Sequence, residues 1–167
     1  IWSEVYAKKT VEQVIELGRQ QWHNNPYPRL YPKKGLLRYN LHRIRLLAPG
    51  KLVSELGFSK DDEPFIISSH HQMAGKLGSG MRVIATSLDG KVIEAIEHED
   101  FPYVLGLQFH PEFSILWDTT ASISIVPGES PLNIQSKLHE HEPSYAFHEA
   151  IWTWFIKNAK KSRTANK

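Results

Sequence analysis

The chain of 167 residues is long enough for one domain with a real core, and 41% apolar against 23% charged residues is the balance of a soluble globular protein. A net charge of +2 is too small to make nucleic acid or an acidic membrane a partner. No apolar run approaches the roughly 20 residues of a membrane helix. The absence of cysteine excludes disulfides and thiolate metal sites and leaves the redox compartment open. With no secretory signal in view, a soluble, cytoplasmic protein is expected.

Thr10-Val-Glu-Gln13 fits a capping box, so a helix is expected from about Val11, running past Gly18 to Trp22. Three prolines between Asn24 and Gly35 then break all periodicity and predict an irregular loop. Its Tyr27, Tyr31 and Tyr39, interleaved with Arg29, Lys33, Lys34 and Arg38, fit a solvated loop better than a surface for RNA or sugar. His42, Ile44 and Leu46 alternate with Arg43 and Arg45, the period of a half-buried strand. Lys51 to Leu56 predict a short helix stopped by Gly57, and Phe65-Ile-Ile67 a buried strand that delivers Ser68 to Gln72 at its end.

Met81 to Ser87 alternates again, and Asp89-Gly90 is a hairpin turn leading into Val92 to Ile96. Val104 to Leu107 is short enough for a buried strand, with Gly106 allowing another backbone to come close. Thr119 to Pro131 is poorly patterned. Phe147, Ile151, Trp154 and Phe155 share one face of a helix over Tyr145 to Lys157, and residues 158–167 read as a frayed tail. Strands, short helices and a hairpin make an α/β sheet, and pattern alone leaves parallel and mixed sheets open.

The strand at Val104 ends in His110-Pro111-Glu112. Pro111 holds His110 extended, and in an extended segment residues i and i+2 point to the same side. His110 and Glu112 can then face one pocket, the carboxylate fixing the tautomer of the imidazole as in the base-and-orienter half of a nucleophilic triad. The competing reading is a surface turn. Ser69 to Gln72 also follows a strand, and ligand sites of open α/β sheets form beyond strand ends, so the two segments are expected to converge. His139-Glu-His-Glu142, with His148 nearby, has metal-ligand residue types but no HExxH spacing, and a solvated loop is the better reading. No Gly-x-Ser-x-Gly elbow supports a serine triad.

Gly106-x-Gln108-Phe109-His110-Pro111-Glu112 resembles the closing motif of class I glutamine amidotransferases and their γ-glutamyl hydrolase relatives. Ser68-Ser69-His70-His71-Gln72, the Gly80 to Gly90 run and Val92 to Glu97 stand upstream in the order of the branch containing γ-glutamyl-γ-aminobutyrate hydrolase. The resemblance covers about Leu41 to Glu112 and, loosely, the final helix. It implies the C-terminal portion of a flavodoxin-like three-layer sandwich with an inserted β-hairpin, spanning residues 1–167. It also implies roles: His110 as general base and acid, Glu112 as its orienter, and Ser69, His70, His71 and Gln72 as the wall that receives a glutamyl group. On the residues alone, that wall is equally a polar turn whose histidines satisfy buried carbonyls.

The family's nucleophile is a cysteine on a strand-to-helix elbow, and this chain has none. The resemblance therefore implies a partner: the N-terminal portion of the same domain, carrying the cysteine, with a small γ-glutamyl compound as substrate and no cofactor. The start at Ile1 fits a fragment or processed chain. Alone, the chain is expected to be inactive, with a sheet edge that leaves a homo-oligomer open. The alternatives are a glutaminase subunit feeding ammonia to a synthetase, and a non-catalytic scaffold.

Overall fold

The computed structural model describes residues 25, 27–70 and 72–164. The helix expected from Val11 to Trp22 and the side chain of His71 lie outside the described residues. The elements are α1 (Tyr27–Leu30, one turn), β1 (Asn40–Leu46), α2 (Lys51–Ser54), β2 (Phe65–Ser68), β3 (Met81–Ser87), β4 (Ile93–His98) and β5 (Leu105–Leu107). A 3-10 turn at Ser114–Leu116 follows, then α3 (Ile134–Glu140) and α4 (Glu142–Thr164). The strands form one sheet in the order β2-β1-β3-β4-β5, and each ladder between them is antiparallel. Sheet and helices together make a mixed α/β unit compatible with the flavodoxin-like sandwich. Among the described residues no helix is long and apolar enough to cross a membrane.

Both faces of the sheet are covered. On one, Ile44, Leu46, Ile66, Ile84 and Ala95 pack with Phe109 under Phe147 and Ile151 of α4. On the other, Ile67 of the next β2 position joins Leu37, Leu116, Ile134 and Leu138, the last two from α3. Adjacent isoleucines thus serve opposite layers, as the two-residue period of a strand requires. Each fully buried Leu or Ile contributes about 1.5–3 kcal/mol, so these two clusters are the main source of cohesion.

β1 follows the expected alternation, with His42, Ile44 and Leu46 buried. β3 departs from it: Ile84 and Ala85 are both buried, because register shifts around Ala85 let consecutive side chains turn inward. The hairpin forms, but its loop is longer than a two-residue turn. Ser87 N–H donates to Val92 O at 2.9 Å, and Leu88 to Lys91 close over Gly90, whose φ of +73° suits glycine. β5 is half-buried rather than buried, and Tyr103 and Val104 before it are exposed. At Gly106 the close neighbour is a side chain, not a backbone: a Cβ there would lie 2.9 Å from Cγ1 of Ile96.

The segment after β5 curls the sheet. Gln108 N–H donates to Glu94 O at 2.9 Å, continuing the β4 pairing, and His110 N–H donates to Ile67 O at 2.8 Å, reaching β2. One short run therefore ties β4 to β2, the strand at the far edge of the sheet. Glu97 of β4 is buried and joins three elements: it accepts from Lys51 N–H at 3.0 Å, from Lys51 Nζ at 3.2 Å and from the guanidinium of Arg82. Burial pushes its carboxyl up, but those donors outweigh burial and leave it below the ordinary glutamate range.

Three further expectations change. The irregular loop expected between Asn24 and Gly35 contains the single turn of α1, and Tyr27 is buried rather than displayed. The His139–Glu142 stretch is not a solvated loop, since His139 and Glu140 end α3 and Glu142 begins α4. Pro143 sits in the first turn of α4, where its missing N–H costs nothing. α4 also runs to Thr164 instead of fraying from residue 158, since Ala159, Lys160 and Lys161 are good helix formers and basic side chains suit a helix C-terminus. α3 starts at Asn133, whose side chain accepts from Ser136 N–H at 2.9 Å. Asn133→Ala should lower stability by about 1 kcal/mol, readable as a shift in the urea midpoint at unchanged slope.

Candidate active site

His110 and Glu112 meet. His110 Nδ1 lies 2.7 Å from Glu112 Oε1, the length of a charge-assisted bond, and both side chains reach solvent. Burial pushes the Glu112 carboxyl up, but the bond from His110, a backbone N–H and the imidazole charge outweigh it and hold the group below its ordinary range. The ring of His110 stacks on Phe113 at 4.4 Å and 7°. Phe113 in turn contacts Tyr39 at 4.3 Å, so the imidazole has a rigid apolar backing.

The turn itself is braced from two helical regions. Trp117 Nε1 and Trp152 Nε1 both donate to the carbonyl of Pro111, at 3.0 and 3.2 Å. Because Pro111 carries no N–H, its carbonyl is the one backbone handle there, and the two indoles hold it from either side. Trp117→Phe removes one of these bonds and should cost about 1 kcal/mol in chemical denaturation while leaving the His110–Glu112 contact formed. Beyond Pro111 an apolar cleft of about 330 Å³ opens between β5 and α4, lined by Leu105, Leu107, Trp152 and Phe155 among others.

Ser69 to Gln72 runs beside this turn, because Ile67, one register step before Ser68, holds His110 N–H. Ser69 and Gln72 are exposed. Gln108 Nε2 donates to Gln72 O at 3.4 Å, a long bond that ties the two segments. His70 turns inward: its side chain is 10% exposed, with Nδ1 3.1 Å from Gln72 O and Nε2 3.8 Å from Glu94 Oε1. His71 lies outside the described residues.

Behind the segment is a polar group that spacing in the sequence did not reveal. His42 Nε2 is 3.0 Å from Ser68 Oγ and 3.7 Å from Glu94 Oε1, and His42, Ser68 and Glu94 are buried. The signals available were a histidine at an inward position of β1 and a glutamate within the apolar run of β4. Neither draws notice until the sheet brings them together. The His139, His141 and His148 set goes elsewhere: His139 stacks on Tyr145 at 4.0 Å, His141 Nδ1 bonds Ser144 Oγ at 2.7 Å, and His148 Nε2 bonds Phe65 O at 3.1 Å.

A family model described as peptidase C26 matches residues 9–112, well over half of the chain, and its last matched residue is Glu112. The chain belongs to the peptidase C26 family. A glutamine amidotransferase-like protein of Rickettsia prowazekii is 39% identical over 51 residues, which are 30% of this chain and 18% of that protein. A CTP synthase of Prochlorococcus marinus is 51% identical over 37 residues, 22% of this chain and 7% of the synthase. A CTP synthase of Acidobacterium capsulatum is 50% identical over 36 residues, with the same shares. The chain thus spans less than a fifth of the length of these curated relatives. Within the peptidase C26 match fall the whole sheet, the Ser69–Gln72 segment and the His110–Glu112 pair. Phe113, Trp117 and Trp152, which back and brace that pair, lie beyond the matched residues.

Proposed function

We propose that this chain supplies the base half of a γ-glutamyl amide hydrolase, with the nucleophile a cysteine on the N-terminal portion of the same domain. The observation that carries the reading is the 2.7 Å contact between His110 Nδ1 and Glu112 Oε1 at an accessible turn inside the peptidase C26 match. With Nδ1–H donated to Glu112, Nε2 is the nitrogen that takes the thiol proton and returns it to the leaving amine. The thiolate attacks the γ-glutamyl carbonyl, the C–N bond breaks as the amine leaves protonated, and water then resolves the thioester to γ-carboxylate and thiol. Ser69 and Gln72 form the exposed wall beside the reacting carbonyl, and His70 acts on that wall from behind. No cofactor enters these steps, and a cytoplasmic setting goes with a small γ-glutamyl substrate.

The likeness to CTP synthases favours a second reading, a glutaminase whose ammonia passes to a synthetase. One experiment separates the two. The chain is combined with the cysteine-bearing portion and given a panel of γ-glutamyl amides alongside glutamine, with no synthetase present. Broad turnover of the panel supports the hydrolase. Hydrolysis confined to glutamine supports the ammonia supplier, and an assembled protein inert towards both is a scaffold.

A further inference from the structure

We propose that His42, His70 and Glu94 hold one divalent metal ion of the zinc type, buried behind the Ser69–Gln72 segment. The three side chains come from β1, the end of β2 and β4, and one donor atom from each lies within 4.8 Å of the others. Glu94 is fully buried, and neither of its oxygens has a hydrogen-bond partner, nor has Nε2 of His70. A buried carboxylate without donors costs several kcal/mol unless a cation meets it.

The ring orientations say which cation. His42 Nδ1 lies 3.3 Å from Arg43 O and His70 Nδ1 lies 3.1 Å from Gln72 O. A carbonyl only accepts, so each Nδ1 is the nitrogen that carries the proton and Nε2 the one with the lone pair, that of His42 bonded to the Ser68 hydroxyl and that of His70 without a hydrogen-bond partner. A histidine that gives one N–H to a backbone carbonyl and aims the other nitrogen at a carboxylate has the outer-shell arrangement of a metal ligand. Three lone-pair donors then face one another.

Distance decides between a proton and a metal. The two Nε2 atoms are 3.7 and 3.8 Å from Glu94 Oε1, beyond the roughly 3.2 Å limit of an N–H···O bond. A tetrahedral ion with bonds of about 2.1 Å spans donors about 3.4 Å apart, so a small closing movement brings all three into range. Two imidazoles and one carboxylate suit zinc, and the Ser68 hydroxyl now on His42 Nε2 turns aside when that nitrogen coordinates. Bound there, the ion would pin the Ser69–Gln72 segment to β1 and β4.

The test is calorimetric titration of the chelator-treated full chain with zinc ion. One equivalent should bind and raise the melting temperature, and His70→Ala and Glu94→Gln should each weaken binding by about 100-fold or more. His139→Ala, outside the set, should bind as the parent does. X-ray absorption of the loaded parent should report two imidazoles and an oxygen at about 2.1 Å, which decides the matter even if a variant fails to fold. Absence of saturable binding by the parent, binding that survives both substitutions, or a shell without two imidazoles would overturn the proposal.

Discussion

Replacing His110 by alanine in the assembled enzyme is expected to lower kcat/KM for γ-glutamyl amide hydrolysis by about 10⁴-fold, or about 5 kcal/mol of transition-state stabilisation. The size follows from its two duties, taking the thiol proton and protonating the amine, neither of which water does well at neutral pH. Glu112→Gln should cost less, about 100-fold, because the amide oxygen still accepts from Nδ1–H but no longer stabilises the imidazolium. A half-exposed carboxylate is also partly replaced by solvent. Neither change should move the urea midpoint by more than about 0.5 kcal/mol, since both side chains reach water and neither fills the core. Steady-state kinetics with matched denaturation curves checks the pair.

The second large effect concerns His148, buried on α4 beneath the sheet. Burial pushes its pKa down to about 4, and its bond to Phe65 O offsets that only in part. Above pH 6.5 the ring is neutral in folded and unfolded chains alike, so no proton is linked to unfolding. Below that value the unfolded chain binds a proton that the folded chain refuses until about pH 4. Stability contributed by the neutral, buried ring therefore declines as pH falls from 6.5 towards 4, the loss approaching about 3 kcal/mol. His148→Gln keeps an N–H for Phe65 O and removes the titration, so its stability should vary less across this window. Urea titrations at a series of pH values read the difference. An unchanged pH slope in the variant would assign the acid lability to other groups.

Local rules made much of the sheet legible. β1 was visible because Arg43 and Arg45 separate its inward residues, and the hairpin because Asp89-Gly90 favours a turn. β3 was misread where a bulge buries Ile84 and Ala85 together, a consequence of pairing with β4 that no period-two pattern contains. α3 was missed because Ile134 and Leu138 give one short apolar stripe, and its Asn133 cap stands in a stretch rich in turn residues. The same division holds at the site. His110 and Glu112 are two positions apart, so their contact follows from an extended backbone around proline. Convergence of His42, His70 and Glu94 depends on strand order, and the brace from Trp152 depends on how α4 crosses the sheet. Contacts between neighbours in the chain could be read early, whereas contacts made by topology could not.

The most direct measurement is mass spectrometry of the assembled protein quenched during turnover of a γ-glutamyl amide. The account predicts a glutamyl adduct on the cysteine-bearing portion that builds up and decays with the parent chain, and forms far more slowly with His110→Ala. An adduct that forms equally fast in that variant, or turnover in the parent without any adduct, would contradict it.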